Sequence, residues 1–264
     1  MNTSWLPVLL VGLLGLIFGS FATVLTKRVP QNISIIAPNS RCESCGCLIP
    51  RRYLIPLMSF LALRGRSKCC DTQLSWQYPL IELATAALFL ISYSAVGASL
   101  EILSLLILAI LTMPLVLTDI EVQRLPNALT YTGILAGNAS SIIISLAQGS
   151  ARPFTYSLVI SFISGLAFLI LNLLSRGGMG MGDVKLAAML GSLLSPFGWS
   201  TLGTAFIFAF FLGATIGLLL LASKKATRKT LIPFGPYMLL GAWLAIGIGD
   251  QGCQNIINVW ALKG

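Results

Sequence analysis

The sequence predicts an all-α, polytopic membrane protein of about eight transmembrane helices, with a cysteine-containing cytoplasmic loop inserted after the first. Three observations predict it. Hydrophobic residues make up 56% of the 264 and charged residues only 9%, against about 25% charged in soluble domains. Apolar stretches recur from end to end, each near the about 20 residues that cross a bilayer. And all but Arg152 and Lys263 of the 17 Lys and Arg fall in segments on one side of such a chain, which is the positive-inside pattern. The net charge of +9 is therefore spent on topology and lipid contact, and nucleic acid is not an expected partner.

The spans follow in order. The first runs over 5–26 and lacks the basic flank and short apolar core of a cleavable signal, so it reads as a permanent span. Residues 27–76 form a basic cytoplasmic loop, in which 53–63 is apolar enough to lie on the membrane surface. Further spans are expected over 78–96, 102–118, 128–146, 154–174, 183–195, 201–222 and 234–249. The span over 183–195, the sixth of the chain, is short, and Pro196 marks a break. Residues 77–264 thus form one transmembrane core, and 1–26 and 27–76 are the other two divisions of the chain. No internal repeat is strong enough to set a period. Eight spans place both termini outside and every basic segment in the cytoplasm.

The absence of histidine excludes Ser-His-Asp and Cys-His catalysis and any His-ligated metal. Acid–base chemistry must come from eight acidic residues or from Lys, Tyr or Cys. Two of the eight, Asp119 and Asp183, stand where spans meet the cytoplasm, and ionisable groups at that depth mark functional sites. Two carboxyls sharing a site keep one proton between them, and the ionised member acts as a base toward water. The end of one helix and the start of another lead to the expectation that Asp183 holds the charge and Asp119 the shared proton. Gly180 and Gly182, before Asp183, leave room for an extended peptide backbone. An intramembrane aspartyl peptidase fits these features. A proton-coupled transporter using the same pair is the alternative.

The sequence also resembles the type IV prepilin peptidases of the bacterial inner membrane. Phe18-Gly19-Ser20-Phe21 and Lys27-Arg28-Val29-Pro30 look like the family's opening signature, with Thr23 where Asn is usual. Tyr78-Pro79-Leu80-Ile81-Glu82, Asp119 followed by Leu125-Pro126-Asn127, Gly178-Met179-Gly180-Met181-Gly182-Asp183-Val184-Lys185 and Ile232-Pro233-Phe234-Gly235-Pro236 match its later motifs in order. The resemblance implies a multi-pass enzyme with its active site facing the cytoplasm. It implies removal of the basic leader of type IV prepilins or type II pseudopilins after a glycine. It also implies N-methylation of the new terminus with S-adenosylmethionine. Asp119 and Asp183 take the catalytic positions, and Glu121 and Lys185 stand beside them as supporting residues.

Five of the six cysteines lie in the 27–76 loop, and Cys253 lies on the opposite side. A reducing cytoplasm favours metal over disulfide, and Cys42-x-x-Cys45 is half of a zinc knuckle. The family's second half is also C-x-x-C, but here Ser67 occupies the third ligand position and Cys70 the fourth. A four-thiolate Zn²⁺ site then needs Cys42, Cys45 and Cys70 with either Cys69 or Cys47.

Overall fold

The computed structural model describes residues 5–37, 39–42, 44–50, 53–175, 179–224 and 232–261, excepting the side chains of 250, 251 and 253–261. Among them the chain is helical without a strand. The helices are α1 (Trp5–Arg28), α2 (Met58–Ala62), α3 (Gln77–Val96), α4 (Ile102–Val122), α5 (Asn127–Gln148), α6 (Arg152–Leu174), α7 (Met181–Leu194), α8 (Gly198–Ala222) and α9 (Gly235–Ala261). A 3-10 turn at Ser195–Phe197 separates α7 from α8, where Pro196 was expected to break the span. Non-helical backbone at Gly249 interrupts α9.

Among the described residues six helices are long and apolar enough to cross a membrane, with Met181–Ala222 taken as one 42-residue stretch and Gly235–Gly249 shorter than the rest. Large apolar side chains such as Leu14, Ile17, Phe162, Phe211 and Leu218 lie on their outer faces. Helices this apolar on every side belong in lipid. The protein is a multi-pass membrane protein.

Two boundaries differ from the sequence reading. Helix α4 runs past Asp119 to Val122 and stops only where Gln123 turns left-handed, its N–H bonding back to the Asp119 carbonyl. Asp119 therefore sits in the last turn of a helix and not in the loop after it. Helix α7 begins at Met181, which puts Asp183 in its first turn. In the surface segment expected over 53–63, Met58–Ala62 is α-helical. Cys253 and the basic residues Arg51, Arg52, Arg176, Lys225, Arg228, Lys229 and Lys263 lie outside the described residues or side chains, as do Pro38 and Gly178.

The chain packs as two units, Met1–Ser94 with Ala109–Pro114, and Ala95–Leu108 with Leu115–Gly264. In lipid the hydrophobic effect does not press helices together, so close packing and hydrogen bonds must. In the first unit α1 turns Gly15 and Gly19, four residues apart, toward α3. A Cβ at either would lie 2.6 Å from an α3 Cα, that of Ala86 or of Glu82. The backbones meet there because neither glycine has a side chain. At the α1 end, Lys27 donates to the Tyr78 hydroxyl at 2.7 Å. The carboxylate of Glu82, buried in α3, accepts the N–H of Leu57 at 2.7 Å and so holds the start of α2.

The second unit is built around α7. Its 14 residues rise only about 21 Å, short of the about 30 Å hydrocarbon thickness, and most of them are buried. It packs on α5, α6, α8 and α9. Serines supply the hydrogen bonds. Ser161 Oγ donates to the Ala188 carbonyl at 2.8 Å and Ser164 Oγ to that of Ala187 at 3.0 Å. Glycines supply the close approaches, with Gly137 of α5 against Ser192 and Gly191 of α7 against Ser164 and the Ile160 carbonyl.

This packing has a direct test. Gly191→Leu forces a side chain into the α6–α7 contact and is expected to destabilise the protein by about 1–3 kcal/mol or more. Gly247→Ala, which meets nothing within 4 Å, is expected to leave stability unchanged or slightly raised. Thermal unfolding in detergent compares the two.

Candidate aspartyl site

Asp119 and Asp183 both belong to the second unit and are almost wholly buried, at 6% and 8% exposure. Both stand around Leu125, which lies beside Gly182, the neighbour of Asp183, and beside Gly235, which touches Asp119. Each carboxylate is held by one backbone donor. Asp183 Oδ2 accepts the N–H of Gly180 at 3.3 Å, while Gly180 O accepts the N–H of Asp183 at 3.1 Å, so the carboxylate closes the first turn of α7 on itself. Asp119 Oδ2 accepts the N–H of Gly235 at 3.0 Å.

The second bond adds a helix end that the expected division of charge did not include. Asp119 stands at the C-terminal end of its own helix, where the dipole disfavours a carboxylate. Gly235, however, is the first residue of α9, so the same carboxylate also caps the N-terminal end of another helix. Both aspartates thus meet an N–H at the start of a helix.

Three residues set the spacing. Leu125 lies between the two sides of the site. A Cβ at Gly182 would come within 3.1 Å of the Leu125 Cβ, and one at Gly235 would lie 3.5 Å from its Cδ2 and 2.6 Å from Asp119 Oδ2. Gly182 and Gly235 are therefore the glycines that this geometry requires. At Gly180 a Cβ would meet Asp183 Oδ2 only at 3.7 Å, an ordinary contact, and its contribution is the N–H. Gly235 was the residue that sequence reasoning left without a role. The signal was present in Pro236, which follows it at the first positions of a helix, where proline is favoured.

The supporting residues divide. Lys185 Nζ donates to Asn127 Oδ1 at 2.7 Å and sits 5.4 Å from the centre of the Tyr131 ring. It ties the first turn of α7 to the first turn of α5. Glu121 is exposed, and two residues along a helix is about 200° around it, so it faces away from the Asp119 side.

The cysteines gather in the first unit. The sulfurs of Cys42, Cys45, Cys69 and Cys70 all lie within 4.8 Å of one another. Ser67 Oγ sits 3.3 Å from Cys42 Sγ and 3.1 Å from Cys69 Sγ. The Ser67 hydrogen bond, with the backbone of Cys45 and Ser44, pulls the Cys42 thiol down to about 5. Cys69 is also lowered, by Cys47 and then Ser67. Cys45 is raised by its bond with Cys47, and Cys47 by its bond with Cys69. Four clustered thiols, two of them favouring the thiolate, match the donor set of a tetrahedral Zn²⁺ site.

Fold and site define a class, the helical membrane proteins that bury a pair of carboxyls at helix ends. Comparison with known proteins narrows it. A family model described as "Bacterial Peptidase A24 N-terminal domain" matches residues 13–96, and one described as "Type IV leader peptidase family" matches 102–221. A Myxococcus xanthus protein named "Prepilin leader peptidase/N-methyltransferase" is 36% identical over 82% of this chain and 64% of its own length. Proteins of the same name from Bacillus subtilis and Pseudomonas putida are 32% and 31% identical, over 90% and 92% of this chain and 92% and 91% of theirs. No solved structure gives a significant match. The chain belongs to the type IV leader peptidase family, the membrane enzymes in which a prepilin peptidase is joined to a methyltransferase.

Gly235→Ala tests the link between α9 and Asp119. The added methyl would displace the Asp119 carboxylate, and misplacement of about 1 Å costs on the order of 10²-fold in rate. Prepilin cleavage by purified enzyme is expected to fall by that factor in Gly235→Ala and to stay near wild type in Gly217→Ala, whose nearest neighbour would be 3.8 Å away.

Proposed function

We propose that Asp119 and Asp183 cleave the basic leader from type IV prepilins or type II pseudopilins after a glycine, at the cytoplasmic face of the bacterial inner membrane. One observation carries the reading: two buried carboxyls of the same unit, each held by one backbone N–H at the start of a helix and each retaining lone pairs for substrate and water. In the reaction, the ionised carboxylate takes a proton from water, and the hydroxide formed attacks the scissile carbonyl carbon. The protonated carboxyl gives its proton to the carbonyl oxygen. The tetrahedral intermediate then collapses as the C–N bond breaks and the leaving amine takes a proton. Like charges so near each other favour the singly protonated pair this cycle needs.

The remaining parts of the reading follow from charge and shape. The positive-inside distribution directs the aspartate end of the helices to the cytoplasm. Taking α7, α8 and Gly235–Gly249 as separate passes gives eight. A prepilin presents its basic leader to the cytoplasm and its apolar helix to lipid, so the scissile bond falls at the boundary where the pair sits. Gly182, without a side chain, leaves the approach to Asp183 open to an extended peptide.

The second activity is assigned to the 27–76 loop. A cleft of about 410 Å³ in the first unit is lined by Arg28, Ile36, Asn39, Ser40 and Ile49 among others, a size suited to a small cofactor. S-adenosylmethionine supplies the methyl group when bound. Its carboxylate would meet Arg28, its adenine the isoleucines, and Asn39 and Ser40 would give polar contacts. Ser40 and Ile49 are paired by a 2.9 Å backbone bond at the base of the first cysteine turn. Zinc held by Cys42, Cys45 and Cys70, with Cys69 or Cys47, would keep that turn and the cleft wall in place.

Two experiments test this. Asp119→Asn and Asp183→Asn are each expected to lower cleavage of a model prepilin by at least about 10³-fold, with the protein still inserted in the membrane. Cleavage retained in either variant would remove the pair from the mechanism and reopen the proton-transport reading. Cys42→Ser is expected to lower methylation of the cleaved product while cleavage persists. Equal loss of both activities would place the cysteine module outside the methyl-transfer site.

A further inference from the structure

We infer that the fourth metal ligand of the cysteine module is Cys69, two residues out of register with the thiol position that Ser67 occupies, and that Cys47 is not a ligand. The inference rests on the reading of the module as a metal site and fixes its coordination.

The basis is a backbone repeat that carries the two halves of the module beyond their cysteine spacing. Residues 41–49 and 66–74 fold into the same turn, offset by 25. An isolated antiparallel bridge joins Arg41 to Leu48, and another joins Arg66 to Gln73. Cys42 N–H donates to Cys47 O at 2.9 Å as Ser67 N–H does to Thr72 O at 2.8 Å. Gly46 N–H donates to Cys42 O at 2.8 Å as Asp71 N–H does to Ser67 O at 3.0 Å, and Ile49 N–H to Ser40 O at 2.9 Å as Leu74 N–H to Gly65 O at 2.8 Å. Gly46 and Asp71 occupy the same left-handed conformation, φ 71° and 56°.

Superposing the turns by this offset pairs Cys42 with Ser67, Ser44 with Cys69, Cys45 with Cys70 and Cys47 with Thr72. Cysteine and serine have changed places between two positions of the second turn, and the total of four thiols is kept. The sulfurs suit a metal: bonds of about 2.3 Å to a tetrahedral Zn²⁺ put thiolates about 3.8 Å apart. Cys69 and Cys70 lie 3.9 Å apart and Cys42 and Cys70 3.6 Å. The neighbouring pair thus spans one edge of the tetrahedron.

The same comparison sets Cys47 aside. Its counterpart Thr72 cannot serve as a thiolate, yet Thr72 Oγ1 stands 3.1 Å from Cys70 Sγ as Cys47 Sγ stands 3.0 Å from Cys45 Sγ. That position hydrogen-bonds the preceding ligand in both turns, and Cys47 is not among the four sulfurs that are mutually close. Ser67, between Cys42 and Cys69, donates its hydroxyl proton to a thiolate and orients it, as groups around metal ligands do.

The test uses the full-length protein in detergent, stripped of metal and titrated with Co²⁺, whose absorption reports thiolate number and tetrahedral geometry. Wild type and Cys47→Ser are expected to bind one Co²⁺ per chain with the same spectrum. Cys69→Ser should lose about a quarter of the thiolate charge-transfer intensity per bound ion. The double variant Ser67→Cys/Cys69→Ser returns the thiol to the register of the first turn and should restore the wild-type spectrum, which also guards against a Cys69→Ser protein that fails to fold. Loss of intensity in Cys47→Ser with Cys69→Ser unchanged would overturn the ligand assignment and leave the metal reading standing, as would a double variant that is not restored. No Co²⁺ bound by wild type at metal concentrations that saturate zinc knuckles would overturn both.

Discussion

Within the hydrocarbon there is no water to satisfy a polar group, and the structure depends on how that constraint is met around α7. This short helix carries one of the two buried carboxyls into the protein and is enclosed by neighbours that touch it through glycine and serine. The serines return hydrogen bonds to α7 carbonyls that are already bonded within the helix, and the glycines let backbone meet backbone. Such contacts allow little sliding. The position of Asp183 is therefore fixed by the α6–α7 and α5–α7 contacts, well away from the carboxyl itself.

Asp119 is placed by a different logic. Its helix ends in a left-handed residue just past it, and its side chain is caught by the start of a helix more than a hundred residues later in the chain. The two acids thus come from helices of opposite polarity yet receive the same kind of support, a backbone N–H at a positive helix end. A pair supported this evenly is suited to chemistry in which the proton changes owner during the cycle.

Much of this was legible in the sequence, and the rest was missed for identifiable reasons. Composition and charge placement gave the membrane class, because they reflect solvent and not tertiary contact. The absence of histidine and the boundary positions of two aspartates singled out Asp119 and Asp183. Helix ends were misplaced by a few residues at Val122 and Met181, since local propensity falls off gradually there. Pro236 marked a helix start at Gly235, but the carboxylate that the start receives comes from 116 residues away and leaves no local pattern. The two halves of the cysteine module were visible as spacings at Cys42–Cys45 and Ser67–Cys70, but the full turn at 41–49 and 66–74 was not, because its defining features are backbone bonds. Glu82 was visible as part of a motif, but its burial and its partner were not.

That glutamate links two elements of different character. Helix α2 is a single turn or so of apolar residues, too short to hold a helical conformation unaided, and its first N–H group, on a left-handed Leu57, ends on a carboxylate rooted in α3. The depth at which α2 rides is thereby set by α3 and not by its own partitioning into lipid. When bilayer thickness changes, a spanning helix tilts or shifts to keep its apolar length covered. The Leu57–Glu82 bond then couples the loop that carries the cysteine turns to any such shift of α3.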